Sequence, residues 1–305
     1  MKLGIKVGPE KESLTNIELT HTPFVEVWFR IDKKDDYTDL FDYVTKHHIE
    51  TGLHFWGLTH DGLVPTLAHD DMALLKESMD LIKQTITLAA HHSFSYVNIH
   101  PGYRTRIGCE YKSLVFSNKH DRIVSFEQAT IHFLDCVDEL TEFAKRKNVL
   151  LTVETTPIRL PKGSLHKKEN RNTVTDFSEY SYLDLPVDTL KFAIANDFGH
   201  TAANCISDDP KPVWDLLYKK TVAYAPYTRL LHLGFIVPPY NGSDFHDQLD
   251  NRLFEKNSAI PNKIQMLELL KLFQNRDDIF ALVEPNGQHP KNYFLAKEIL
   301  QKAGL

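Results

Sequence analysis

The sequence predicts a closed (β/α)8 barrel, and three observations carry that prediction. Eight strand-like runs alternate with helical patterns along the 305 residues. Five of those runs finish on a residue able to bind a metal or move a proton: Tyr96–His100, Leu150–Glu154, Phe192–His200, Arg229–His232 and Phe280–Glu284. The length, a little above the roughly 250 residues typical of such a barrel, suits a single domain over residues 1–305 with long loops at the carboxyl face. An open doubly wound sheet is the alternative, but it needs a glycine-rich phosphate turn after the first strand, and Gly4 and Gly8 do not make one.

Met1–Val7 and Phe24–Phe29, rich in β-branched and aromatic residues, read as the first two strands. The link between them is read as too short for a good helix. Asp35–His48 follows with Leu40, Phe41 and Val44 at helical spacing, and a weaker third strand runs from Glu50 to about Phe55. Asp70–His91 carries Met72, Leu74, Leu75, Met79, Ile82, Ile86 and Leu88 at helical spacing, a core-packing stripe. After the fourth strand and a basic loop, Ser125–Lys147 is the clearest amphipathic helix, with Phe126, Ala129, Phe133, Val137, Leu140 and Phe143 on one face. Strand five follows it directly, then a second basic loop.

In the sixth strand, Asn196-Asp197-Phe198-Gly199 is read as a turn that lifts Asp197 and His200 out of the core. Asp209–Tyr224 makes a helix with Pro210 in its first turn, Tyr227–Leu233 the seventh strand, and Pro238–Asn257 a polar loop. Pro261–Gln274, Ile279–Glu284 and Pro290–Ala303 complete the alternation.

Three cysteines, an odd number without close spacing, argue against a disulfide framework and a thiolate metal site, and fit a reducing cytoplasm. No signal peptide is expected ahead of the first strand, and no run has the roughly 18 apolar residues of a membrane helix. The net charge of −6 offers no general attraction to nucleic acid, yet it is unevenly spread. Pro101–Arg122 holds five Lys and Arg against two acids and Pro157–Thr175 five against one, so these loops carry +7 and the rest of the chain −13. Both loops leave strand ends that bear ligands, which makes Arg104, Arg106, Arg159, Lys162 and Arg171 candidate substrate contacts.

Nine residues qualify as metal ligands: His54, His100, Glu154, Asp197, His200, His232, Asp244, His246 and Glu284. Histidine and carboxylate without thiolate suit zinc, manganese or another divalent ion, and nine exceeds the three protein ligands that one catalytic zinc takes.

The series Glu154, Asp197-x-x-His200, His232 and Glu284 resembles the xylose-isomerase-like TIM barrels. That superfamily includes sugar isomerases and epimerases and the endonuclease IV type of apurinic endonuclease. Over most of the chain the resemblance holds, and three additions point to the endonuclease IV branch: His54 in Gly-Leu-His, His100 in Ile-His-Pro-Gly, and Asp244-Phe-His246. It implies three zinc ions, the first on His54, His100 and Glu154, the second on Glu154, Asp197, His232 and Glu284, the third on His200, Asp244 and His246. Glu154 would bridge the first two, and Glu154 and Glu284 would be catalytic. The implied activity is metal-dependent phosphodiester hydrolysis, on abasic-site DNA in repair or on another phosphate ester, because adjacent ions lower the pKa of a shared water and neutralise the leaving oxygen. The alternative is a sugar isomerase or epimerase, which needs one ion and two carboxylates to move a proton beside a carbonyl. A barrel that binds metal or a partner without turnover is a third class. No membrane and no protein partner is implied. The endonuclease's basic early loop has no counterpart between Phe29 and Asp42, which leaves Phe55, Trp56 and Leu58 as a candidate DNA wedge or as lining of the barrel mouth.

Overall fold

The computed structural model describes residues 1–119, 122–165, 167–176, 179–245 and 247–305. In chain order its elements are β1 (Lys2–Val7), α1 (Lys11–Thr20), β2 (Phe24–Arg30), α2 (Thr38–Lys46), β3 (Glu50–Trp56), α3 (Met72–His91), β4 (Tyr96–Ile99), β5 (Ile107–Glu110), β6 (Val115–Asn118), α4 (Phe126–Arg146) and β7 (Leu150–Glu154). They continue with β8 (Ala193–Asp197), α5 (Phe198–Ala202), α6 (Pro210–Tyr224), β9 (Thr228–His232), α7 (Lys263–Lys271), β10 (Phe280–Val283) and α8 (His289–Ala303). Eight parallel strands close in the order β1-β10-β9-β8-β7-β4-β3-β2, the (β/α)8 barrel that the alternation predicts.

Strand side chains alternate with a period of two, and the inward rows explain where the site lies. Those rows read Gly4-Lys6, Phe24-Glu26-Trp28, Gly52-His54-Trp56, Tyr96-Asn98-His100, Leu150-Thr152-Glu154, Ala195-Asp197, Leu230-His232 and Phe280-Leu282-Glu284. Their lower members Phe24, Tyr96, Ala195, Leu230, Phe280 and Leu282 pack into a dry plug inside the barrel. Phe24 and Phe280 ring centroids are 4.8 Å apart and those of Tyr96 and Phe280 5.2 Å. One layer higher the rows turn polar, so the carboxyl end of the barrel is charged above an aromatic floor. The larger core lies between barrel and helices; on α4 its contribution is Ala129, Phe133, Val137, Leu140 and Ala144, spaced three and four apart.

Four local departures from the sequence reading have physical reasons. The link after β1 does form a helix, α1, whose buried face uses Ser13, Asn16 and Thr20 beside Ile17. Small polar side chains bonded back to the main chain, such as Thr20 Oγ1 to the Asn16 carbonyl at 2.8 Å, can be buried without an apolar stripe. The segment after Asp197 is a short helix, because the Asp197 carboxylate caps it by accepting from the His200 amide at 2.8 Å. Within the first basic loop, β5 and β6 pair as an antiparallel hairpin that folds over a satellite cluster of Val64, Tyr103, Ile107, Phe116 and Leu160. Met72, read as part of the α3 stripe, is 67% exposed because it precedes the first buried turn, while the Asp71 carboxylate caps the helix. Among the described residues no helix is long and apolar enough to cross a membrane.

Gly52 lets the floor reach the site. An added Cβ would stand 2.2 Å from Tyr96 Cζ, in the space occupied by the ring whose hydroxyl donates to Glu26. Gly52→Ala is expected to destabilise the fold by about 1–3 kcal/mol through overpacking. Urea unfolding monitored by circular dichroism checks it, and an unchanged midpoint would show that Tyr96 can yield.

Candidate metal centre and cavity

At the carboxyl end of the barrel the strand termini bring three overlapping groups of ligand atoms together. His54, His100 and Glu154 form one; Glu154, Asp197, His232 and Glu284 a second; Glu26, His54, His232 and Glu284 a third; within each group the atoms lie inside 4.8 Å of one another. The first two coincide with ligand sets implied by the family resemblance, with Glu154 shared. Of the remaining set, His200 Nε2 lies 2.9 Å from Asp244 Oδ1, and His246 is outside the described residues.

The donor chemistry fits a divalent ion. His54 Nε2, His100 Nε2, Glu154 Oε1 and His232 Nδ1 are buried and make no hydrogen bond among the described residues. They nevertheless crowd each other: His100 Nε2 to Glu154 Oε1 is 3.4 Å, His232 Nδ1 to the same oxygen 3.3 Å, and His54 Nε2 to Glu154 Oε2 3.5 Å. Buried lone pairs aimed at a common centre are costly unless a cation satisfies them. The surrounding residues fix their orientation. Asn98 donates to Glu154 and is itself held by Thr152 Oγ1 at 2.9 Å, while His232 turns its other nitrogen to Glu26, Nε2 to Oε1 being 3.1 Å. A histidine whose second nitrogen faces a carboxylate has its tautomer set for ligation.

Glu26 and Lys6 were not among the residues singled out from the sequence, yet they sit at the centre. They are direct cross-strand partners on β2 and β1. The Lys6 ammonium donates to Glu26 Oε1 at 2.5 Å and contacts Glu284 Oε1 and His54 Nδ1; Tyr96 Oη donates to Glu26 Oε2 at 2.7 Å. Their signal was available in the period of two: Lys6 and Glu26 occupy the inward rows, as lone charges in otherwise apolar runs.

Electrostatics follow from burial opposed by neighbours. Burial pushes the Glu154 carboxyl up, but His232, His100 and His54 more than reverse it and hold it well below the ordinary range. Glu26 and Glu284 are likewise held well below it against burial, Glu26 by Lys6 and His232, Glu284 by His232 and Lys6. Burial works to lower His232, yet Glu284, Glu154 and Glu26 raise it well above its usual value. At His100 burial, aided by the neighbouring His54 and His200, outweighs Glu154, and the imidazole is lowered.

The cluster opens into a cavity of about 560 Å³ whose wall includes Trp28, Trp56, Tyr111, His200, Asp244 and Arg171. Of the five cations proposed for substrate, only Arg171 lines it. Arg171 Nη2 donates to Asp247 Oδ2 at 3.0 Å, and Lys168 reaches Asp247 Oδ1 at 2.7 Å. Arg104 lines a separate cavity of about 270 Å³ and donates to the Val124 carbonyl at 3.1 Å. Arg106 stands 3.9 Å from Asp71, Arg159 donates to the Asn241 carbonyl at 3.3 Å, and Lys162 is exposed. Phe55 is buried in the main core, Trp56 faces the cavity, and Leu58 packs on the satellite cluster, so the three do not form one projecting wedge.

No family model and no curated protein sequence matches the chain. Solved structures do. A D-tagatose 3-epimerase-like protein superposes with a TM-score of 0.63 at 16% identity, covering 100% of this chain and 98% of that one. The (β/α)8 fold is shared with it over the whole chain, and also with a xylose isomerase domain protein from Planctomyces limnophilus. D-psicose 3-epimerase with D-tagatose from Clostridium cellulolyticum gives a TM-score of 0.58 at 13% identity, over 99% of this chain and 96% of that one. Endonuclease IV from Thermus thermophilus gives 0.53 at 14%, over 99% and 98%. The endonuclease is thus one branch among several that share this architecture.

The pKa directions predict how metal removal depends on pH. A raised histidine contributes stability that is complete below its ordinary value of 6.5 and is lost as pH climbs through the folded-state value. Depressed carboxylates contribute above 4.5 and lose it as pH falls through their folded values. Chelated protein is therefore expected to be most stable between these limits. An ion on His232 would replace its proton, so the rise in Tm on adding Zn²⁺ or Mn²⁺ should be larger at about pH 8 than at about pH 6. Calorimetry of chelated and loaded protein across that window checks it; a gain independent of pH would count against His232 as a ligand.

Proposed function

We propose that the chain is a divalent-metal-dependent sugar isomerase or epimerase. The observation that carries this reading is the group Glu154, Asp197, His232 and Glu284, whose member Glu284 lines a cavity of about 560 Å³, within the range of small-ligand pockets. An ion held there would act as a Lewis acid on the carbonyl and adjacent hydroxyl of a ketose. Glu284, with 16% of its side chain exposed, borders the cavity and is kept ionised, ready to accept the proton beside the carbonyl. For isomerisation Glu284 would return the proton to the neighbouring carbon; for epimerisation solvent would supply a proton to the opposite face and Glu284 would release its own to solvent, with Glu154, wholly buried and ionised, serving as a ligand. Nothing else is consumed, and no oxidant or reductant is needed. Trp28 and Trp56, with centroids 6.3 Å apart, offer an apolar wall for the C–H face of a sugar.

The rim supports a neutral substrate as well. Arg171 and Lys168 share the Asp247 carboxylate, so one of the two positive charges that the second loop turns to the cavity is balanced there. Two structures of this fold are a D-tagatose 3-epimerase-like protein and a D-psicose 3-epimerase with D-tagatose, which is in keeping with this class of substrate.

A second reading, phosphodiester hydrolysis on abasic DNA or another phosphate ester, is favoured by one observation: His54, His100 and Glu154 form a ligand group that shares Glu154 with the first. Two adjacent ions would suit an in-line displacement. The experiment is to load the protein with Mn²⁺, Co²⁺ or Zn²⁺ and offer a panel of ketoses in D2O, an abasic-site duplex and a plain phosphodiester. Ketose conversion with deuterium entering at the reacting carbon is expected, and Glu284→Gln should slow it by about 10²–10⁴-fold. Cleavage of the duplex or the diester with no exchange into any ketose would overturn the sugar reading in favour of the second.

A further inference from the structure

The third ligand group, Glu26, His54, His232 and Glu284, satisfies the same distance criterion as the other two, but a side chain already lies in it. Lys6 Nζ is 2.5 Å from Glu26 Oε1 and touches Glu284 Oε1 and His54 Nδ1, three of the four members. We propose that the Lys6 ammonium is the resident cation of this corner, standing in place of a metal ion, so that the three overlapping groups hold at most two ions. The inference rests on the ligand cluster alone and is independent of which substrate the site takes.

Several observations support it. An ion in the corner would need ligand atoms about 2.0–2.2 Å away, in the space that the ammonium fills, and would meet it as a like charge. Lys6 cannot swing to solvent without leaving the barrel interior: only 10% of its side chain is exposed, and it leaves β1 on the inward row, with Glu26 as its register partner on β2. The other ties of Glu26 are those of an orienting group. Tyr96 donates to one oxygen, and His232 Nε2 lies 3.1 Å from the other, which turns His232 Nδ1 toward Glu154, Asp197 and Glu284 at 3.3, 3.7 and 3.5 Å. His54 is divided the same way, Nδ1 to the Lys6 corner and Nε2 toward Glu154 at 3.5 Å. Both imidazoles thus present one nitrogen to a carboxylate–ammonium hub and the other to the metal groups.

The test is metal content. Wild-type protein and Lys6→Met, each purified with Mn²⁺ present throughout and dialysed to the same free concentration, are compared by elemental analysis. Lys6→Met is expected to hold one more ion per chain than wild type, and Lys6→Arg, which keeps the charge, the wild-type number. Equal content in Lys6→Met and wild type would overturn the proposal. Should Lys6→Met fail to fold, anomalous diffraction from a Mn²⁺-soaked wild-type crystal decides: no peak among Glu26, His54 and Glu284 is expected, and a peak there refutes it. Neither measurement uses turnover, so failure of the sugar reading and failure of this one are separable.

Discussion

Four carboxylates gathered inside one end of a barrel set the terms for everything around them. Glu26 and Glu154 are wholly buried, Asp197 is 1% exposed, and Glu284 keeps only an edge on the cavity. Charge removed from water is costly unless it is paired and hydrogen-bonded. The chain answers with a buried ammonium, Lys6, with imidazoles on four strand ends or the turns that follow them, and with donors from Tyr96 and Asn98. Each answer requires its own support, which is why Thr152 holds Asn98 and Thr155 receives the Asp197 amide at 3.0 Å.

The aromatic floor matters to this balance because it excludes water from below. Phe24, Tyr96 and Phe280 fill the barrel beneath the charged layer, and Tyr96 belongs to both layers, its ring in the plug and its hydroxyl on Glu26. The absence of a side chain at Gly4 and Gly52 makes room for the rings, since a Cβ on Gly4 would stand 2.1 Å from Phe24 Cδ1. Above, the hairpin β5–β6 and the turn that joins its strands contribute Tyr111, Leu114 and Phe116 to the cavity wall.

The barrel and most strand-end ligands were legible in the sequence because a parallel strand buried on both faces reads as an apolar run, and the first polar residue after it marks the carboxyl end. Glu154, His232 and Glu284 are all of that kind. Lys6 and Glu26 were passed over for the complementary reason: each lies inside an apolar run, where a lone charge reads as a solvent-facing position. Only counting in twos back from the strand ends places them in the ligand row. Helix α1 escaped notice because Ser13, Asn16 and Thr20 form its buried face, and hydropathy does not register small polar residues satisfied by the main chain. The loop charges misdirect in the other direction. Their sum is visible in the sequence, but that Arg171 and Lys168 share Asp247, from a loop more than seventy residues away, depends on tertiary contact.

Formal charge connects the ions to the substrate. Glu26, Glu154, Asp197 and Glu284 bring −4 and Lys6 brings +1, leaving −3 before any ion binds. With ligating imidazoles neutral, one divalent ion brings the cluster to −1 and two bring it to +1. At −1 the site repels a phosphodiester but accepts an uncharged sugar, and the ion needs only to offset charge that develops on the sugar oxygens during proton transfer. At +1 it attracts an anion and can stabilise both oxygens of a displacement. On this balance the two proposed readings would be separated by an ion at the His54–His100–Glu154 group, and Lys6 enters it with half the weight of a divalent ion, because without its charge two ions would only neutralise the cluster.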